Sequence, residues 1–113
     1  MSTTRSLPLT EPTFLILLSL SPEPKHGYAI MKDVESLSEG RVLLSTGTLY
    51  GALKRLLDDG LIRRMDNPLP NPTDRGRKAY VLTEHGRLLM NAEAARMRQL
   101  VALVPGQVGE GHS

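Results

Sequence analysis

Between Ser45 and Asp66 the chain reads STGTLYGALKRLLDDGLIRRMD. Set on a helix advancing about 100° per residue, this stretch separates into two sides of different chemistry. Leu49, Ala52, Leu53, Leu56 and Leu57 gather on one. Gly47, Thr48, Gly51, Lys54, Arg55 and Asp58 gather on the other. Glycine costs a helix interior roughly 1 kcal/mol relative to alanine, so its place on a polar side needs a reason. Small residues let a partner's backbone or base come close. The Ser45, Thr46 and Thr48 hydroxyls and the free amides of a helix N-terminus can meet phosphate, and Lys54 and Arg55 add charge. The alternative is plain: the glycines only admit a neighbouring helix, and the cations are a solvated face.

No second constellation competes for chemistry. His26, His85 and His112 are too far apart in sequence to suggest a ligand set, and no metal or cofactor is expected. Asp58 and Asp59 are adjacent and point in different directions on a helix. No nucleophile–base arrangement is recognisable, so the chain does not read as an enzyme. Absence of cysteine excludes disulfides and thiolate metal sites. The longest apolar run, Phe14 to Leu18, is far short of a membrane span, and the N-terminal MSTTRSLPLTEP lacks signal-peptide character. A cytoplasmic protein is the expectation. Net charge is only +2, but unevenly placed. Met1 to Gly40 holds three Lys/Arg against five Asp/Glu, whereas Lys54 to Arg87 holds eight against five. The local surplus suits a polyanion partner.

The 113 residues, 40% of them apolar, suffice for one domain with a modest core. Thr10 can cap a first helix running to about Leu20, where SPEP stops it. A second helix is expected from about His26 to Leu37, buried along Ile30, Val34 and Leu37, and a third from Thr46 to Asp59 before Gly60. LIRRMD and KAYVLT read as strands, with Arg63 and Arg64 on alternate faces of the first. Between the strands, NPLPNPTDRG forms a long Pro/Gly-rich tip. Thr83 caps a last helix reaching Val104. On that helix Met90, Ala94, Met97, Val101 and Val104 make an a/d-type stripe longer than a small core can cover. A second copy is the expected cover, with Phe14 and the first helix joining the seam. The order helix, helix, helix, strand, wing, strand, helix is that of a mainly helical α+β winged helix-turn-helix. It divides into residues 9–82 as a DNA-binding unit and 83–104 as a dimerisation helix, with flexible tails at 1–8 and 105–113.

HGYAI (His26 to Ile30), STGTLYGALKRLLDDGLI (Ser45 to Ile62) and RKAYVLTEHGRLLM (Arg77 to Met90) together resemble the PadR family of transcriptional regulators, in particular its smaller subgroup with a single short C-terminal helix. The match runs roughly from Leu9 to Val104, and its three motifs fall in the family's order and spacing. The resemblance implies a homodimeric repressor without enzymatic activity. Double-stranded DNA is its expected partner, as a pseudo-palindromic operator. The third helix would then enter the major groove, with the 67–77 wing on the flanking backbone or minor groove. Ser45, Thr46, Thr48, Gly51, Lys54 and Arg55 would be contacts on the third helix. Tyr50 has two readings: a half-buried core tyrosine, or, as the resemblance favours, a phosphate donor, with Tyr28 weaker in the same role. Arg75, Arg77 and Lys78 would serve at the wing. The sequence departs from the pattern at Gly51, where the family usually has proline after LY, and in its proline-rich wing. Family members can respond to small aromatic or drug-like compounds held near the dimer interface, so the resemblance also allows a small-molecule inducer, of unknown identity, as a partner. This chain, with no Trp and 4% aromatic residues, offers a flat ligand few stacking partners. The competing reading is a winged-helix module turned to protein–protein interaction.

Overall fold

Local capping chemistry starts three of the four helices in the computed structural model, which describes residues 7–65 and 78–106. Helix α1 spans Glu11–Leu20: Thr13 N–H donates to the Thr10 hydroxyl at 3.3 Å, and Pro12 occupies the first turn, where its missing N–H costs nothing. Helix α2 spans Gly27–Leu37 and begins without a side-chain cap. Helix α3, Thr46–Asp58, is capped by Ser45, which accepts from Thr48 N–H at 3.1 Å. Helix α4, Glu84–Ala102, is capped by Thr83, which accepts from Gly86 N–H at 2.9 Å.

At its C-terminus α3 closes in a Schellman turn. Leu61 N–H returns to Leu56 O at 3.0 Å and Gly60 N–H to Leu57 O at 3.1 Å. Gly60 sits at φ 76°, a conformation that disfavours any residue with a Cβ. The chain thus turns sharply into β2, Ile62–Met65, and later returns as β3, Ala79–Leu82. Strand β3 is central in a three-stranded antiparallel sheet. On one side it pairs with β2, setting Ile62 opposite Leu82 and Arg64 opposite Tyr80. On the other it pairs with β1, Lys25–His26, setting Lys25 opposite Tyr80.

One core joins these parts. Ile16, Leu17 and Leu20 of α1, Ile30 and Val34 of α2, and Leu49, Leu53 and Leu56 of α3 are buried together with Leu61, Ile62, Tyr80 and Leu82. Truncating a fully enclosed leucine such as Leu53 to alanine would cost about 2–5 kcal/mol.

The family-like motifs have physical work in this frame. Thr83 donates its hydroxyl to Gly60 O at 2.7 Å and its N–H to Leu61 O at 3.1 Å, tying the start of α4 to the end of α3. Gly86, three residues on, has no room for a side chain: an added Cβ would fall 2.1 Å from Leu61 O. Gly27 is equally crowded, because the Tyr50 hydroxyl lies 2.3 Å from where its Cβ would be. From β1, the Lys25 side chain bridges α1 and α2 through Asp33 at 2.7 Å and the Ser19 carbonyl.

Several expectations are corrected. Strand β1 is not foreseen by the sequence, and His26 belongs to it rather than to α2. Leu37 is 49% exposed instead of completing the buried side of α2. The last helix ends at Ala102, leaving Val104 beyond it. Met90 is only 7% exposed and belongs to this chain's own core, because the first two turns of α4 lie against the body. Its burial is thus accounted for within this chain, without a second copy.

Candidate nucleic-acid interface

The outer side of α3 is as the residue pattern requires. Ser45, Thr46, Gly47, Thr48, Tyr50, Lys54 and Arg55 are all exposed, and Gly51 is half-buried. Among the described residues, nothing lies within 4 Å of a Cβ added at Gly47, and only Arg55 Nη1, at 3.8 Å, approaches one at Gly51. These two glycines therefore do not serve packing between the described helices. Ser45 is engaged as the cap and also donates its hydroxyl to Thr48 Oγ1 at 2.9 Å. The amides of Thr46 and Gly47 precede the first ladder bond, at Leu49, and remain suited to an anion.

Lys54 Nζ stands 3.6 Å from the Asp58 carboxylate, with side chains 77% and 67% exposed. An i,i+4 pair this exposed is worth only a few tenths of a kcal/mol, so it does not hold Lys54 against a competing phosphate. The exposed Tyr28 and Tyr50 flank Gly27, and with His26 and Lys78 they line a recess of about 260 Å³. Lys32 Nζ lies 6.0 Å from the centre of the Tyr28 ring and adds charge beside it. His26 Nδ1 is 3.2 Å from Lys78 O, which fixes the base of β3 where the chain emerges from the 67–77 segment. α3, the start of α2 and the foot of β3 thus bring Tyr28, Tyr50 and Lys78 together. Arg75 and Arg77 lie outside the described residues, as does the 67–77 segment itself.

A second hollow, about 770 Å³, separates α3 from the sheet and is bordered by Lys54, Asp58, Arg63, Arg64, Tyr50 and Tyr80 among others. Burial pushes the Tyr80 hydroxyl above its ordinary pKa, and neighbouring Tyr50 adds to the rise, while a hydrogen bond from Arg64 opposes it.

Sequence reasoning missed one further group. Glu93 is 2% exposed and accepts from Leu9 N–H at 3.2 Å and from Arg96 Nε and Nη2 at 2.7 and 2.8 Å. The Arg96 hydrogen bonds hold its carboxyl below the usual glutamate range against the opposing pull of burial. Its only sequence signal is the i,i+3 spacing to Arg96. Farther along α4, Ala94, Met97, Val101 and Ala102 border a shallow apolar depression of about 460 Å³, with Arg98 at its edge. Phe14 is half-buried against the core. Among the described residues there is no cluster able to hold a metal and no helix long and apolar enough to cross a membrane.

A helix-turn-helix whose later helix presents an open polar side, followed by a small antiparallel sheet, defines a winged-helix protein. The transcriptional regulator PadR-like family matches residues 16–92, more than half of the sequence, and the chain belongs to that family. Its fold is similar to that of a PadR family transcription regulator from Clostridium difficile, at 26% identity and TM-score 0.71, covering 83% of this chain and 94% of that one. In sequence it is 39% identical over 87 residues to a 37.1 kDa protein in transposon TN4556 of Streptomyces fradiae, covering 76% of this chain and 23% of that protein. It is 33% identical over 72 residues to the transcriptional regulator YqjI of Escherichia coli, covering 64% of this chain and 32% of the relative. The chain thus spans between about a quarter and a third of the length of these curated relatives.

Proposed function

We propose that this protein is a cytoplasmic, homodimeric transcriptional repressor that binds a pseudo-palindromic operator. Helix α3 lies in the major groove, and the 67–77 wing lies on the flanking backbone or minor groove. The observation that carries the reading is the outer side of α3. Gly47 faces open space, Gly51 meets only its own helix's Arg55, and hydroxyls and cations flank both. Such a side suits a duplex, which needs close approach and charge together. Arg55 reads a guanine edge, Thr46 and Thr48 offer hydroxyls, and Lys54, Tyr50, Tyr28 and Lys78 take phosphates, joined by Arg75 and Arg77. Ser45 acts through the helix N-terminus it caps.

The apolar depression on α4 supports the dimer reading. Ala94, Met97 and Val101, with Val104 and Phe14, form the seam, and Met90 stiffens the helix from within. A homodimer places two α3 helices for two half-sites. Selecting bound duplexes from a random pool, then titrating the selected operator with wild type and Arg55→Ala, tests the proposal. The expected result is one enriched palindromic motif and a loss of roughly 1–3 kcal/mol for the variant, confined to one base pair per half-site. A pool that emerges without a motif would instead favour a protein-interaction module.

A further inference from the structure

The hollow between α3 and β2 adjoins the outer side of α3, with Lys54 and Tyr50 of that helix on its border. Among the described residues, its border carries three cations, Lys54, Arg63 and Arg64, against one carboxylate, Asp58. The two arginines are not equivalent. Arg64 shares its face of β2 with the buried Ile62, and its cross-strand neighbour is the buried Tyr80, which offers a hydroxyl. Arg63 also borders the hollow, but it leaves β2 on the opposite face and pairs with Val81, whose side chain has no hydrogen-bonding group to hold it. Directly opposed residues of an antiparallel pair bring their Cβ atoms within about 5.5 Å of each other, close enough for the Arg64 stem to be held.

We propose that Arg64, positioned by the Tyr80 hydroxyl, is the phosphate-binding cation of the α3–β2 hollow and works there with Lys54 on the backbone that links the two grooves. This rests on the DNA-binding reading and adds to it a residue outside the recognition helix and the wing. Tyr80 is the positioning residue. Fixing the guanidinium before binding lowers the ordering cost of contact, and a planar guanidinium matches two phosphate oxygens at once. The Asp58 carboxylate opposes an incoming phosphate, but it is solvent-exposed and already leans on Lys54, so its field there is weak.

The experiment is a salt titration of binding to a labelled random-sequence duplex, by fluorescence anisotropy, with wild type, Arg64→Ala, Arg63→Ala and Tyr80→Phe. Arg64→Ala should lower the slope of log affinity against log salt by about 0.9, the share of a single neutralised phosphate on duplex DNA. Arg63→Ala should leave the slope at the wild-type value. Tyr80→Phe keeps the Arg64 charge and should leave the slope unchanged while weakening binding by about two- to tenfold. A merely structural role for Tyr80 would show in the urea midpoint without moving affinity, and that result overturns the positioning claim. A wild-type slope for Arg64→Ala, or a lowered slope for Arg63→Ala alone, overturns the assignment. If wild type binds no duplex at any salt concentration, the DNA-binding reading itself has failed, an outcome distinct from both.

Discussion

Replacing Gly86 by alanine adds one methyl group, and the surroundings fix what it does. The new carbon would lie 2.1 Å from Leu61 O and 2.8 Å from Leu82 Cδ1. The leucine tip can rotate away, but the carbonyl is backbone at the close of the α3 turn. Normal contact requires the first turn of α4 to retreat by about 1 Å, as heavy atoms in van der Waals contact sit about 3.5–4.0 Å apart and part of the gap is shared. That retreat stretches Thr83 N–H to Leu61 O, now 3.1 Å, and Thr83 Oγ1 to Gly60 O, now 2.7 Å. Overpacking of this kind costs about 1–3 kcal/mol, and each loosened hydrogen bond adds up to about 1 kcal/mol. The helix propensity of alanine returns at most about 1 kcal/mol. The net loss is about 1–4 kcal/mol, a large part of the total stability of a small domain. Gly47→Ala is the internal control: with nothing within 4 Å of its Cβ, it should stabilise by up to about 1 kcal/mol. Urea denaturation followed by circular dichroism measures both. A Gly86→Ala midpoint equal to wild type would refute the backbone-contact argument.

Gly27→Ala meets only the far end of the Tyr50 side chain, so the urea midpoint should shift little while Tyr50 is displaced and duplex affinity falls several-fold; unchanged affinity in an anisotropy titration would separate Tyr50 from the DNA. Met97→Glu places a charge on the apolar depression of α4 and should convert a dimer to monomers in sedimentation at micromolar concentration; a wild-type monomer under the same conditions would sink the seam. Glu93 and Asp33 are both held below their usual range: at Glu93 the Arg96 hydrogen bonds overcome burial with help from Leu9 N–H, and at Asp33 desolvation is the largest single influence but Lys25 and Ser19 together outweigh it. A carboxyl lowered in the folded state stabilises fully above its ordinary value and loses that contribution as pH falls through the lowered one. The stability gap between wild type and Glu93→Gln should therefore be widest above pH 4.5 and shrink on acidification, which urea melts at several pH values would show.

How much of this was legible depends on how local each cause is. The caps at Thr10 and Thr83 act within three residues, so the starts of α1 and α4 can be read from sequence. The amphipathic split of α3 is likewise written in 13 consecutive residues. Strand β1 has no such signature. Lys25 and His26 are a strand only because Tyr80 and Ala79, more than fifty positions away, pair with them. The same holds for Glu93, a helical glutamate in sequence, whose burial is explained by an amide 84 residues earlier. Glycines show the contrast well. The sequence drew attention to Gly47 and Gly51 on an odd helix face, but the crowded pair is Gly27 and Gly86, whose neighbours come from other elements. Met90 matched the spacing of a seam, yet the body of the domain reaches that far along α4 and takes it.

The order of the sheet, with β3 in the centre, bears on how the protein avoids self-association through its strands. Exposed strand edges are templates for aggregation, and proteins blunt them with short strands and charge. Both devices are present in the described part of this sheet. One outer strand, β1, is two residues long, too short to template a partner. The other, β2, carries adjacent arginines at Arg63 and Arg64 in a four-residue strand, so two copies approaching edge to edge would set like charges against each other. Arg64, proposed above as a phosphate ligand, would together with Arg63 thus also keep copies apart during folding. A variant that neutralised both arginines to remove DNA binding would at the same time bare an edge, and its aggregation under refolding would need to be measured before its loss of affinity was interpreted.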